Sequence, residues 1–317
     1  MGTTRHSIFG IALVASAFLA VFRADHAVAQ ANAAAYVIMD STTNHILDSA
    51  NAQKKLQVGS LTKVATAMVV LDWADATSQD LAQLATIPNS AGPLATGQGV
   101  NFQPGDRCSL RDLLYAALLQ SDNQAAETLA EHVGRAVGGN NPKVLPVANF
   151  VAQMNALGRK LGLRNTRFTN AHGLDNLEKT LPYSTAEDMA KLACYAMNRS
   201  AFRFYVSQPE RRISIQNANG EQSSYLLKNT NELLGTDSID GVKTGTTRKA
   251  GQCLVISAAK APESRQEGEK HVITPRRLEI VVLNAPDRFG VARSLLARGW
   301  QLYDSWAAAG RPTKSDR

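Results

Sequence analysis

The strand-forming sequence of this 317-residue chain lies near its two ends, and helical sequence fills the middle. Ala35–Asp40 (AYVIMD) and His45–Ala50 (HILDSA) are short β-rich runs. Ser41-Thr42-Thr43-Asn44 separates them, which predicts a hairpin with a polar turn. Strand character returns at Ile239–Thr244, Gln252–Ala259 and Leu278–Leu283. Between these ends, Val64–Trp73 is apolar and helix-favouring. Leu110–Leu119 and Gln124–Val137 carry i, i+3, i+4 spacing, and Asn149–Leu161 and Thr185–Met197 read as helices too. Ser184 is the expected N-cap of the last of these, with Glu187 three residues on. A final helix is expected over about Ala292–Trp306. The separated strands can join in one antiparallel sheet while the middle forms its own helical layer. The expectation is therefore an α+β fold: an antiparallel sheet of terminal strands flanked by helices, plus an all-helical subdomain over about residues 75–215 inserted between the sheet segments. Lys260–Thr274, polar and charged, reads as an exposed hairpin tip.

The N-terminus has the order of an export signal. Arg5 and His6 precede an apolar run from Ile8 to Phe22, followed by the small-residue pattern Ala27-Val28-Ala29. The run is short for a membrane span, and cleavage is expected after Ala29. Residues 1–29 are then a signal peptide, 30–307 the working domain and 308–317 a polar, disordered tail. Cleavage removes Arg5, Arg23 and Asp25, leaving the mature chain one unit less basic than the full chain's +7. A modest basic excess outside the cytoplasm suits an anionic envelope. It forms no nucleic-acid stripe: the densest cluster, Lys270, His271, Arg276 and Arg277, is mixed with Glu267 and Glu269 and reads as a solvated loop. No membrane association is evident after signal cleavage. Export permits disulfides, but the cysteines number three, and Cys108, Cys194 and Cys253 are read as small buried residues. No Cys/His spacing points to a metal, and no cofactor is expected.

Three short motifs carry chemistry. In Ser60-Leu61-Thr62-Lys63 a helix beginning at Ser60 would put Lys63 one turn on, on the same face. A serine hydroxyl is a poor nucleophile until a base takes its proton, and a buried lysine of lowered pKa is such a base. Ser121-Asp122-Asn123 falls between two helical stretches, where a hydroxyl can relay a proton and an amide can hold a carbonyl. Lys243-Thr244-Gly245 ends a strand, where a cation and a hydroxyl can hold a carboxylate and glycine leaves room for a substrate backbone to pair. Each motif alone is equally an ordinary cap or polar strand end.

In this order the trio resembles the set shared by penicillin-binding proteins and class A β-lactamases. Gln120–Gly134 (QSDNQAAETLAEHVG), Thr169–Asp175 (TNAHGLD), Tyr183–Leu192 (YSTAEDMAKL), Lys228–Leu234 (KNTNELL) and Asp240–Leu254 (DGVKTGTTRKAGQCL) resemble the low-molecular-mass D-alanyl-D-alanine carboxypeptidases, over roughly residues 34–306. The resemblance implies a β-lactamase/transpeptidase-like fold and peptidoglycan stem peptides ending in D-Ala-D-Ala as substrate, with β-lactams as covalent inhibitors. It implies Ser60 as nucleophile, Lys63 as its proton acceptor, Ser121 as relay and Asn123 as holder of the substrate amide. Lys243 and Thr244, with Gly245 and Thr246, would bind the substrate, and the backbone N–H groups of Ser60 and Thr246 would form the oxyanion hole. His172 is expected to be a loop hydrogen bonder and no catalyst. The chain ends after its last helix, as in the shorter family members, some of which cut peptide cross-links; that leaves a D,D-endopeptidase as the alternative. A β-lactamase is disfavoured because Glu178-Lys179-Thr180-Leu181-Pro182 departs from E-x-x-L-N at its last position. A penicillin sensor is disfavoured because no apolar span follows Phe22. A transpeptidase would need only an amine in place of water.

Overall fold

The computed structural model describes residues 32–95, 99–138, 145–175, 180–267 and 270–312. The expected signal peptide, Glu178 and the last residues of the polar tail lie outside them. In chain order the elements begin with strands β1 (Ala35–Asp40) and β2 (Ile46–Ala50), a 3-10 turn (Gly59–Thr62) and helix α1 (Lys63–Thr77). Then come β3 (Leu84–Thr86), a second 3-10 turn (Asn89–Leu94), β4 (Arg107–Ser109), α2 (Leu110–Leu119), α3 (Asn123–Gly138) and α4 (Pro146–Lys160). α5 (Ala186–Met197), α6 (Ser200–Val206), β5 (Glu210–Gln216), β6 (Gln222–Lys228), β7 (Ile239–Thr247), β8 (Gly251–Glu267), β9 (Lys270–Leu283) and α7 (Arg288–Ala308) complete it.

The terminal strands do meet in one antiparallel sheet, ordered β2-β1-β9-β8-β7. Every residue of β1 is buried, because both faces of the sheet are covered. Along β1, β8 and β9 the alternation of side chains sends Val37, Met39, Val255, Val281 and Leu283 into the core shared with the helical layer. Ile38 and Leu278 meet α7, where a Cβ on Gly299 would lie 2.9 Å and 3.0 Å from them. Glycine at that point lets helix and sheet approach closely. α1 is buried almost all round over its first nine residues, as expected of a helix running through the centre of a domain.

Four features differ from expectation. A second sheet, β3-β4-β5-β6, crosses the stretch expected to be wholly helical up to residue 215. The cap of α5 is Thr185, whose hydroxyl accepts from Asp188 N at 3.1 Å, one residue later than Ser184. Ser184 is instead held by a backbone pair with Leu56 and a 2.7 Å contact with Thr166 Oγ1. Lys260–Thr274 does join β8 to β9 as a hairpin, but Lys270–Arg277, expected as a solvated loop, belongs to a strand, and the pairing runs out to Glu267↔Lys270. Gly310–Pro312 of the tail is ordered, with Trp306 Nε1 donating to Pro312 O at 3.0 Å and Arg311 bonded to Glu263. Cys108, Cys194 and Cys253 are free and buried. No helix among the described residues is long and apolar enough to cross a membrane.

Candidate active site

The three motifs converge where α1, the α2–α3 connection and the edge strand β7 meet. Ser60 lies in the 3-10 turn, three residues ahead of Lys63, where the helix begins. In 3-10 geometry residues i and i+3 eclipse, which aligns Ser60 with Lys63 more directly than an α-turn would. The turn is seated by main chain. Gly245 of β7 leaves the space into which Val58 O packs; a Cβ there would sit 2.7 Å from that oxygen. Gly173, at φ +84°, does the same from the other side, where a Cβ would lie 2.0 Å from Gly59 O. Gly245 thus serves first the close approach of the turn, a reason that strand pairing with substrate did not supply.

Lys63 is fully buried, and its Nζ lies 2.9 Å from Ser60 Oγ, 2.7 Å from Asn123 Oδ1 and 2.8 Å from His172 O. Burial pushes its pKa down to about 7, with Asp122 opposing. Asn123 Oδ1 and His172 O can only accept, so they use two N–H groups. A neutral amine has two, so its lone pair is left for Ser60. The half-buried Ser60 hydroxyl therefore faces a base in the correct orientation.

Asn123 is the first residue of α3, and Asp122 fixes the connection by accepting from Val100 N at 3.0 Å and Ala125 N at 2.8 Å. Ser121 sits beside them at φ +64°, in the left-handed region rare for serine. No hydrogen bond joins its hydroxyl to Ser60 or Lys63 among the described residues, so the expected relay is not coupled to the pair in this state.

Lys243 is also fully buried, and donates to Thr244 O at 3.0 Å. Burial, then the neighbouring Lys63 and Arg288, hold its pKa well below the usual lysine value. Thr244 Oγ1 lies 2.6 Å from Thr230 Oγ1. Thr246 is exposed, and its hydroxyl accepts from Arg288 Nη1 at 2.8 Å; the same nitrogen donates to Gly245 O at 3.2 Å. Arg288 opens α7 and was not singled out from the sequence. No motif surrounds it, and 42 residues separate it from Thr246. His172 belongs to a loop tied by Asn170 Oδ1, which accepts from His172 N and Gly173 N. Its ring accepts from Leu174 N at 3.2 Å, and burial, helped by Lys63, lowers its pKa to about 3. What reaches Lys63 is its carbonyl, a group without a sequence signature. Among the described residues no cluster of His, Cys, Asp and Glu fits a metal ion.

A serine–lysine pair at the foot of a central helix, opposite an edge strand bearing a second buried lysine, is an arrangement that can support acyl transfer. Residues 21–267 match the model of the D-alanyl-D-alanine carboxypeptidase family, peptidase S11, and the chain belongs to that family. It is 32% identical over 282 residues to the D-alanyl-D-alanine carboxypeptidase DacC of Escherichia coli K12, an alignment spanning 86% of this chain and 62% of that protein. It is 33% identical over 224 residues to a D-alanyl-D-alanine endopeptidase of Pseudomonas aeruginosa, covering 69% and 65%. The chain thus spans a little under two thirds of the length of these curated relatives. The fold matches the crystal structure of the Streptomyces K15 DD-transpeptidase with a TM-score of 0.72 at 27% identity, over 85% of this chain and 97% of that one.

Proposed function

We propose that the protein is a serine-type D-Ala-D-Ala carboxypeptidase that trims peptidoglycan stem peptides through an acyl-enzyme on Ser60 and is inhibited by penicillin. The observation that carries this is the Lys63 amine, 2.9 Å from Ser60 Oγ with its other two partners both pure acceptors. Ser60 attacks the carbonyl of the penultimate D-Ala, and its proton passes to Lys63. The peptide C–N bond breaks as Ser121 gives its proton to the departing amine and takes the one held by Lys63, and water then hydrolyses the ester. Backbone N–H groups of Ser60 and Thr246 carry the oxyanion, each worth about 3–4 kcal/mol. Asn123 holds the substrate amide.

Lys243 and Thr244 receive the terminal carboxylate, aided by Arg288 through Thr246. A carboxylate supplies the counter-charge that Lys243 lacks, which raises its pKa and pulls a proton onto it. Residues from about 75 to 215 form the inserted subdomain, which is mixed and not all-helical because β3, β4 and most of β5 lie within it. The protein acts in the envelope, periplasmic or extracellular, after loss of residues 1–29. Its macromolecular partner is peptidoglycan, with no role for nucleic acid.

The endopeptidase alternative is kept by the Pseudomonas relative. Purified protein is incubated with a muropeptide ending in D-Ala-D-Ala, with a cross-linked muropeptide dimer, and with penicillin. Free D-Ala is the expected product; monomer released from the dimer instead identifies an endopeptidase. Rapid penicillin turnover overturns the assignment in favour of a β-lactamase.

A further inference from the structure

The segment Asn229-Thr230-Asn231 lies between β6 and β7, and the mechanism above gives it no part. Its three side chains act as a buckle. Asn229 Nδ2 donates to Val206 O at 3.1 Å and Gln208 O at 3.0 Å. Asn231 Nδ2 donates to Gly241 O at 3.0 Å, two residues before Lys243. Thr230 joins the two walls of the cleft. Its N–H donates to Leu119 O at 3.0 Å, at the end of α2 and two residues before Ser121. Its hydroxyl lies 3.1 Å from the same carbonyl and 2.6 Å from Thr244 Oγ1.

A threonine hydroxyl has one proton. If Thr230 gives it to Leu119 O, Thr244 must give its own proton to Thr230, and Thr244 turns only lone pairs toward an incoming anion. If Thr230 turns its proton to Thr244, the Thr244 proton is released to the ligand. Leu119 O loses nothing essential, since the Thr230 N–H still serves it. We propose that Thr230 is a positioning residue for carboxylate recognition: its hydroxyl rotates between Leu119 O and Thr244 Oγ1 and so switches Thr244 from inward donor to donor toward the substrate carboxylate. Two hydroxyls in series also polarise each other, which strengthens the outer bond. The proposal rests on the assignment of Thr244 as a carboxylate ligand.

The test compares wild type, Thr230→Val and Thr230→Ser on a peptide ending in D-Ala-D-Ala and on the same peptide with its C-terminus amidated. Thr230→Val is expected to lower kcat/KM about fivefold on the free carboxylate, the size of one neutral hydrogen bond. The loss falls in KM, with the amide unaffected, and Thr230→Ser restores wild-type behaviour. An equal loss on both peptides, no loss on either, or failure of Ser to restore would overturn the proposal. If the valine variant does not fold, Thr230→Ala removes the same hydroxyl without a methyl group against Leu119 O. Acylation of Ser60 by fluorescent penicillin, which carries a carboxylate, is measured in parallel. Wild type that releases no D-Ala refutes the proposed substrate, while the penicillin rates still decide the role of Thr230.

Discussion

Lys63 and Lys243 are both fully buried and both held below the usual lysine pKa, yet the two walls of the cleft treat them differently. On the helical wall Lys63 has three partners that saturate it and orient its lone pair. On the strand wall Lys243 has one hydrogen-bond partner among the described residues, the backbone oxygen of Thr244. A saturated amine is set for a proton transfer that has to happen at one place. An unsaturated one is set to receive an anion from outside. Burial does the same thing to both, and hydrogen bonding separates the tasks proposed for them.

The largest effects should come from the helical wall. Ser60→Ala or Lys63→Ala is expected to reduce acylation by ~10⁴-fold or more, the scale seen when one member of a nucleophile–base pair is removed. Labelling with fluorescent penicillin reads this directly, and a Ser60→Ala protein that still labels would remove Ser60 from its role. Lys243→Met should cost about 10- to 100-fold on ligands with a carboxylate, the range of a charge-assisted hydrogen bond, and far less on amidated ones. If it instead abolished acylation of both, the division between the walls would fail.

Asn123→Asp puts a carboxylate in place of the amide oxygen 2.7 Å from Lys63 Nζ. It should raise the lysine pKa by about 1–3 units, slow acylation at neutral pH about tenfold, and move the acid limb of the rate profile to higher pH. The smallest effect is in the wild-type pH dependence. Lys63 must be neutral to accept a proton, so acylation rises with pH up to about 7 and then levels. Carboxylate binding takes up a proton at Lys243, so binding weakens as pH rises beyond the free enzyme's Lys243 pKa. Rapid-quench kinetics separate the two: the acid limb belongs to the acylation step, the alkaline loss to ligand affinity.

Much of this fold was legible where periodicity is strong. The hairpin, α2 and the three sheet strands before α7 lie close to where alternation and helical spacing put them. The second sheet was not legible, because in β5 only Ile213 and Ile215 are buried among Glu210, Arg211, Arg212, Ser214 and Gln216. Two apolar residues at spacing two are weak evidence against so many polar ones. The length of the β8–β9 ribbon was hidden for a related reason: it is paired through its backbone, and its described side chains are mostly polar and at least partly exposed. In the site, Ser60 and Lys63 were legible because three residues bring them together. Arg288, Thr230 and the His172 carbonyl reach the cleft only through tertiary structure, and the last is main chain, identical in any residue.

Return to the glycines that flank the nucleophile turn. Gly173 and Gly245 let backbone pack directly on the backbone of residues 58–61, so part of what seats the Ser60 turn is main chain. Selection for variants that escape an acylating inhibitor therefore has little purchase on the nucleophile itself. Substitution at either glycine drives a methyl group into a carbonyl oxygen, which injures inhibitor and substrate chemistry together. Escape has to come from the outer cleft, where Thr246 is exposed and where substrate and inhibitor need not make the same contacts. With Ser60 as the proposed nucleophile, the main-chain clamp sets which positions would be free to evolve under drug pressure and which would not.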